Sequence, residues 1–187
     1  MADHFTTADV ARQLDDCTFC PKMCRHACPV STTTGRESLI PQAKMDRLNK
    51  LVHDQEPWRP DTTESLWACT GCRHCTVYCD HDNEPGLVLL SGRAEANKRG
   101  AGHPALAGYG ERFRARDQRL AADARERFGA EAFASTGAIG FWPGCDSLDK
   151  GTADVAAAQA VFERLGLGPV PLVDAGLACA GYPLLAA

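Results

Sequence analysis

Nowhere in its 187 residues does the chain run through 18 consecutive apolar positions, so no stretch has the length and hydrophobicity of a membrane-spanning helix. It also lacks a Gly-x-Gly-x-x-Gly at a strand-to-helix turn and a Gly-x-x-x-x-Gly-Lys-Ser/Thr loop, which leaves no evident dinucleotide site and no P-loop. Excess positive charge is missing too. The formal net charge is -4, which argues against broad electrostatic attraction to nucleic acid. The start, Met-Ala-Asp-His-Phe-Thr-Thr, has neither a basic n-region nor an apolar h-region, so the thiols are expected to stay reduced in the cytoplasm. Any attachment at the inner face of a membrane would then be made through a partner. What the chain does have is enough apolar content, 44%, for a packed core, and ten cysteines.

Eight of those cysteines fall into two tight sets. One is Cys17, Cys20, Cys24 and Cys28, followed by Pro29; the other is Cys69, Cys72, Cys75 and Cys79. The second has the Cys-x2-Cys-x2-Cys-x3-Cys spacing with which one short loop supplies thiolates to three irons of a cubane, while the fourth cysteine ligates the other cluster. The first set is stretched by one residue between Cys20 and Cys24 but keeps the closing Cys-Pro. Two [4Fe-4S] clusters are therefore expected. Swapped ligation puts Cys17, Cys20, Cys24 and Cys79 on one, and Cys69, Cys72, Cys75 and Cys28 on the other. Two other uses of such thiols compete with this reading. Disulfides suit an oxidising compartment, and structural zinc takes four thiolates, usually as two well-separated pairs rather than as triplets with a remote fourth.

Helical signals frame both sets. Thr7 can cap a helix through Leu14 that delivers the chain to Cys17. Pro41 sits where a first turn would start, with Met45, Leu48, Leu51 and Val52 at helical spacing, until Pro57 and Pro60 break the pattern. A further start at Thr62 or Thr63 leads through Leu66 and Trp67 to Cys69, and Pro85 opens a helix that stops at Gly100. From about Pro104 to Phe128 an apolar stripe of Leu106, Tyr109, Phe113, Leu120, Ala124 and Phe128 predicts one or two helices, with a break near Gly108 or Gly110. Eight arginines and one lysine lie between Arg93 and Arg127, interleaved with acidic residues. They read as a solvated helix face, or as a docking surface for an acidic partner.

The character changes beyond Gly129. Residues 138–142 and 170–173 read as short strands and Thr152 to Leu165 as an amphipathic helix, together one βαβ unit too small to cover both faces of a sheet. Cys145 and Cys179 follow the two strands, where open α/β sheets place ligands; the plainer reading of each is a small buried hydrophobe. The chain ends on Leu-Leu-Ala-Ala, an apolar end expected either to be covered by a partner or to continue into a longer protein. The fold class expected is mainly α: a helical dicluster module over residues 1–100, a helical connector over 101–136 and a partial βαβ cysteine-rich unit over 137–187.

In this order, the cysteine sets, the arginine-bearing helices, then Phe141-Trp142-Pro143-Gly144-Cys145 and Cys179-Ala180-Gly181-Tyr182-Pro183, the sequence resembles the iron-sulfur subunits of glycolate oxidase, anaerobic glycerol-3-phosphate dehydrogenase and heterodisulfide reductase. The resemblance implies an α-helical ferredoxin with two [4Fe-4S] clusters and a cysteine-rich domain of which Cys145 and Cys179 are the first landmarks. It departs where Ala180 replaces the second cysteine of a Cys-Cys-Gly signature and where a later Cys-x-x-Cys is absent, so no third cluster is expected.

An electron relay follows from these expectations: a non-catalytic component of an oxidoreductase, placed between a flavoprotein dehydrogenase and a quinone, heterodisulfide or other carrier. The resemblance implies that the flavoprotein acts on a 2-hydroxy acid or glycerol phosphate. The alternative is a zinc-stabilised helical adaptor without redox activity; a thiol reductase using Cys145 and Cys179 is a third possibility. His26 and His74, between the ligands, are expected to lie outside the ligand set. Asp80 and His81 stand where a second Cys-Pro would be, and the carboxylate there would lower the potential of a nearby cluster. Phe19, Trp67 and Tyr78 are expected to pack over the clusters and exclude water.

Overall fold

The computed structural model describes residues 8–133, 138–150, 152–173, and the single residues Cys179 and Gly181. The chain is mainly α-helical, and its described residues divide into two compact units, one up to residue 107 and one from residue 108 onward.

In the first unit, α1 (Ala8–Phe19) runs five residues beyond the turn expected at Leu14, so that Cys17 sits on the helix itself. A short α2 (Pro29–Thr34) and α3 (Pro41–Val52) both carry proline in the first turn, where its missing N–H costs nothing. Then follow α4 (Pro60–Trp67), the single turn α5 (His74–Val77) and α6 (Pro85–Lys98). The start of α4 is Pro60 rather than Thr62: the Thr62 hydroxyl accepts from the Arg59 N–H at 3.1 Å, as the third residue of a capping box does.

The apolar faces of these helices meet in one core. Val10, Leu14 and Cys17 of α1 join Met45, Leu48 and Leu51 of α3, Leu66 of α4, and Val88 and Leu89 of α6. Each large aliphatic side chain buried there contributes about 1.5–3 kcal/mol relative to exposure. Helices α3 and α6 approach closely because position 92 is glycine: a Cβ there would lie 2.8 and 2.9 Å from the two Leu48 methyls. Buried polar groups are paired across elements. Thr63 Oγ1 donates to the Ala101 carbonyl at 2.7 Å, and Arg93 Nε donates to the Leu66 carbonyl at 3.0 Å while its Nη2 reaches the Cys69 carbonyl.

The second unit contains α7 (Tyr109–Phe128), α8 (Gly144–Asp149) and α9 (Thr152–Arg164). Gly108, at φ 66°, lets the chain turn into α7 at the break expected there. Leu120 and Ala124 pack on Leu148, with Phe128, Phe133 and Cys145 around them. The arginine run is not one solvated face: Arg93 is buried in the first unit, and in the second Arg116 pairs with Asp149 at 2.8 Å and Arg127 donates to the Leu148 carbonyl at 3.0 Å.

Two strands were expected in this unit. Among the described residues only a single parallel bridge forms, Phe141 with Leu172, through the Phe141 N–H to Pro171 O and the Val173 N–H to Phe141 O, both at 2.9 Å. Pro169 and Pro171 remove two of the donors a ladder would need. Both backbone groups of Val170 are taken instead by the Gln159 side-chain amide, at 2.6 and 3.0 Å. The helix between the bridge residues, α9, stands where expected; most of the segment leading to Cys179 lies outside the described residues.

Candidate iron-sulfur site

Ten free thiols are distributed over the two units, and eight of them line two hollows in the first. One hollow is walled by Cys17, Cys20, Cys24 and Cys79; the other by Cys28, Cys69, Cys72 and Cys75. Pro85 lines both, so the hollows adjoin. Each hollow thus takes three thiols from one sequence set and one from the other. Cys145 and Cys179 are not among them.

The local backbone explains how two unequal spacings make equivalent loops. Arg73, at φ 59°, precedes α5, and Cys75 is the second residue of that helix. In the first set Lys22, at φ 69°, precedes a 3₁₀ turn (Met23–Ala27) of which Cys24 is likewise the second residue. The extra residue, Pro21, is accommodated before the left-handed turn. A non-glycine residue in that region costs about 1 kcal/mol, a strain the surrounding helices must hold. Cys28 is the cap of α2 and Cys17 sits in the last turns of α1, so each hollow is anchored at one point to a regular helix.

The thiols sense one another. Burial, opposed by a hydrogen bond from Asn83, pushes Cys17 up to about 12, with further upward contributions from Cys79, Cys24 and Cys20. Burial likewise pushes Cys75 up to about 12, followed by the charges of Cys24, Cys69 and Cys72. Cys24 is raised by burial and then by Cys20 and Cys79. Cys75 thus senses a thiol of the neighbouring hollow, Cys24, as well as those of its own. Cys28 differs: burial pushes it up, but the Ser31 amide, the Lys44 ammonium, the Ser31 hydroxyl and the Val30 amide outweigh this and hold it below the usual thiol value.

Donors reach the sulfurs from buried polar residues. Asn83 Nδ2 is 3.5 Å from Cys17 Sγ and its backbone N–H 3.4 Å from Cys79 Sγ. Lys44 Nζ is 3.6 Å from Cys28 Sγ, and the Gly71 N–H is 3.4 Å from Cys69 Sγ. Neither Lys44 nor Asn83 was singled out by sequence reasoning. The available signal for Lys44 was its place one turn before Leu48 on the apolar stripe of α3; Asn83, in a polar loop, gave none.

Four thiolates on one zinc ion would converge to about 3.8 Å from each other, given Zn–S bonds near 2.3 Å in a tetrahedron. Among the described residues no three His, Cys, Asp or Glu side chains are close enough to share one metal ion. Thiols spread around a hollow suit a polynuclear cluster, in which each binds a different iron.

Residues 13–83, the span from α1 to the turn before α6, match the family model of the 4Fe-4S dicluster domain. The chain is an iron-sulfur protein. That domain fits an electron-transfer role. No curated protein and no solved structure matches the chain. Among the described residues no helix is long and apolar enough to cross a membrane.

The other sequence candidates fall in varied places. His26 and His74 are exposed; His26 meets the Tyr78 ring edge-on at 4.5 Å, and His74 Nδ1 lies 3.2 Å from the Ala27 carbonyl. Asp80, His81 and Tyr78 line the first hollow. Trp67 packs against the core and faces His103. Phe19 does not cover a cluster: it is 85% exposed, because it ends α1 on the face away from the core. In the second unit Cys179 is buried with its N–H on Asp117 Oδ1 at 2.8 Å; the Cys145 thiol is pushed up by burial and then by Cys179 beside it.

Proposed function

We propose that the chain is an electron-transfer subunit holding two [4Fe-4S] clusters, one on Cys17, Cys20, Cys24 and Cys79 and one on Cys69, Cys72, Cys75 and Cys28. The observation that carries this is the sorting of eight thiols into two adjoining hollows, four to each. When bound, such clusters accept and give up one electron at a time. The residues of the chain hold them in place: α1 and α2 fix Cys17 and Cys28, the left-handed residues Lys22 and Arg73 aim the loop thiols inward, and Arg93 ties the end of α4 to the backbone of Cys69.

A pair of one-electron carriers side by side serves to divide the two electrons of a flavin and pass them singly to an acceptor. The donor proposed is a flavoprotein dehydrogenase, and the acceptor a quinone, a heterodisulfide or another carrier, as the resemblance to the glycolate oxidase group of iron-sulfur subunits implies. Catalysis on the organic substrate would belong to the partner.

Anaerobic isolation tests the reading. About eight iron and about eight acid-labile sulfide per chain are expected, with tetranuclear signals in EPR or Mössbauer spectra. A colourless protein with zinc and no iron would favour the adaptor and remove the relay.

A further inference from the structure

We propose that Lys44 makes the cluster on Cys28, Cys69, Cys72 and Cys75 the member of the pair with the higher reduction potential, so that a single electron rests there. This depends on the two-cluster reading above.

Lys44 is 1% exposed. Its ammonium donates to the Ala68 carbonyl at 2.8 Å and lies 3.6 Å from Cys28 Sγ. Among the described residues no carboxylate lies within ion-pair distance of it. A buried ammonium is costly unless charge compensates it, and the one carbonyl supplies only a dipole. The compensating charge must come from the sulfur side, from the Cys28 thiolate and whatever that thiolate binds. Arg73 lines the same hollow but is itself paired with Glu84, so Lys44 is the cation that counts there; no carboxylate lines the hollow.

The other hollow is built differently. The side-chain donor to its sulfur is the neutral amide of Asn83, Asp80 and His81 line it side by side, and no lysine or arginine does. The cation nearest to Asn83, Arg12, donates to Asn83 Oδ1 at 3.2 Å but is itself paired with Asp9 and Asp16. Reduction adds one negative charge to a cluster. A fixed positive charge in contact with one ligand sulfur favours that added charge on its own cluster, and the neutral amide does so less; cluster potentials follow net charge and the hydrogen bonds to sulfur.

The test is an EPR-monitored redox titration of the anaerobically isolated full chain and of its Lys44→Met and Lys44→Gln variants. In the wild type two midpoints are expected. In both variants the higher one falls, the reduced-to-oxidised ratio at the wild-type midpoint dropping about tenfold or more (about 59 mV per tenfold for one electron) while the lower midpoint stays. Lys44→Arg, which keeps the charge, is expected to preserve the gap. Glutamine retains a donor for Ala68, so a variant that loses only the packing of α3 on the Cys69 loop is told apart from one that loses charge. An unchanged gap, or movement of the lower midpoint, overturns the role of Lys44. A wild-type protein without any tetranuclear signal overturns the cluster reading itself, and this inference with it.

Discussion

Asn83 Nδ2 donates to Cys17 Sγ across 3.5 Å, joining the turn before α6 to the last turns of α1. The same amide reaches the Gln13 carbonyl at 3.3 Å, and its oxygen accepts from Arg12 at 3.2 Å, so one buried side chain satisfies three partners from a single helix. A sulfur relieved of part of its charge by a hydrogen bond favours the reduced state of the cluster it holds. The side chain therefore closes the first unit and tunes the first ring together.

Asn83→Leu should break both functions. The Gln13 carbonyl and the Arg12 fork lose a buried partner, which costs about 1–3 kcal/mol. Denaturant unfolding of the iron-free protein is expected to show that loss as a lower midpoint with an unchanged slope. In the loaded protein the lower of the two reduction midpoints falls and the higher does not.

Gly92 makes a second, sharper test of the packing. Because a Cβ there would lie under 3 Å from both Leu48 methyls, and Leu48 is fully buried in α3, Gly92→Val must push α3 and α6 apart. A loss of about 2 kcal/mol is expected from overpacking. Leu48→Ala alone should cost about 2–5 kcal/mol through its cavity, yet the double variant should be more stable than the sum of the two losses predicts, since the valine fills space the leucine has left. Additive losses would mean that the two helices do not depend on this contact.

Much of the first unit was legible because its signals are local. Pro41 and Pro85 mark helix starts through a missing N–H, the apolar stripe of α3 gives its buried face, and cysteine spacing speaks for itself. What could not be read depends on partners far along the chain. Lys44 looks like any helical lysine until Ala68 and Cys28 arrive beside it, and Asn83 has its partners some 70 residues away. The second expected strand is limited to a single bridge by a local feature, Pro169 and Pro171 flanking Val170, and by a distant one, the Gln159 side chain, which takes the hydrogen bonds of Val170 that a strand would have made.

Thiol ionisation sets a pH window for the iron-free protein. Cys17 and Cys75, pushed up to about 12 chiefly by burial, stay protonated in the folded state while an unfolded thiol releases its proton near 8.5. Above that value the folded state binds more protons than the unfolded one, so stability falls with rising pH. The contribution is complete below about 8.5 and is lost on the way to about 12. Chelator-treated, reduced protein should therefore show a melting temperature that declines on the alkaline side. The loaded protein should lack that limb, because its thiolates are held by iron, and should instead lose its clusters in acid as the ligands take up protons. Equal alkaline sensitivity of the two forms would show that these cysteines are not the ligands.

Swapped ligation can be tested by asking which defects travel together. Cys79 belongs by sequence to the second set but lines the hollow of Cys17, Cys20 and Cys24, and Cys28 belongs to the first set but lines the hollow of Cys69, Cys72 and Cys75. A serine at either position replaces a sulfur donor by a harder oxygen and perturbs one cluster alone. Under the swapped arrangement Cys79→Ser alters the spectrum and midpoint of the cluster that Asn83→Leu also moves, and Cys28→Ser those of the cluster that Lys44→Met moves. Ligation within each sequence set would instead put Cys28→Ser, Lys44→Met and Asn83→Leu on one cluster, because Lys44 contacts Cys28 and Asn83 contacts Cys17, and would leave Cys79→Ser alone on the other. EPR redox titration of the four single variants distinguishes the two pairings without assigning either signal beforehand, because what is compared is which midpoint each variant displaces.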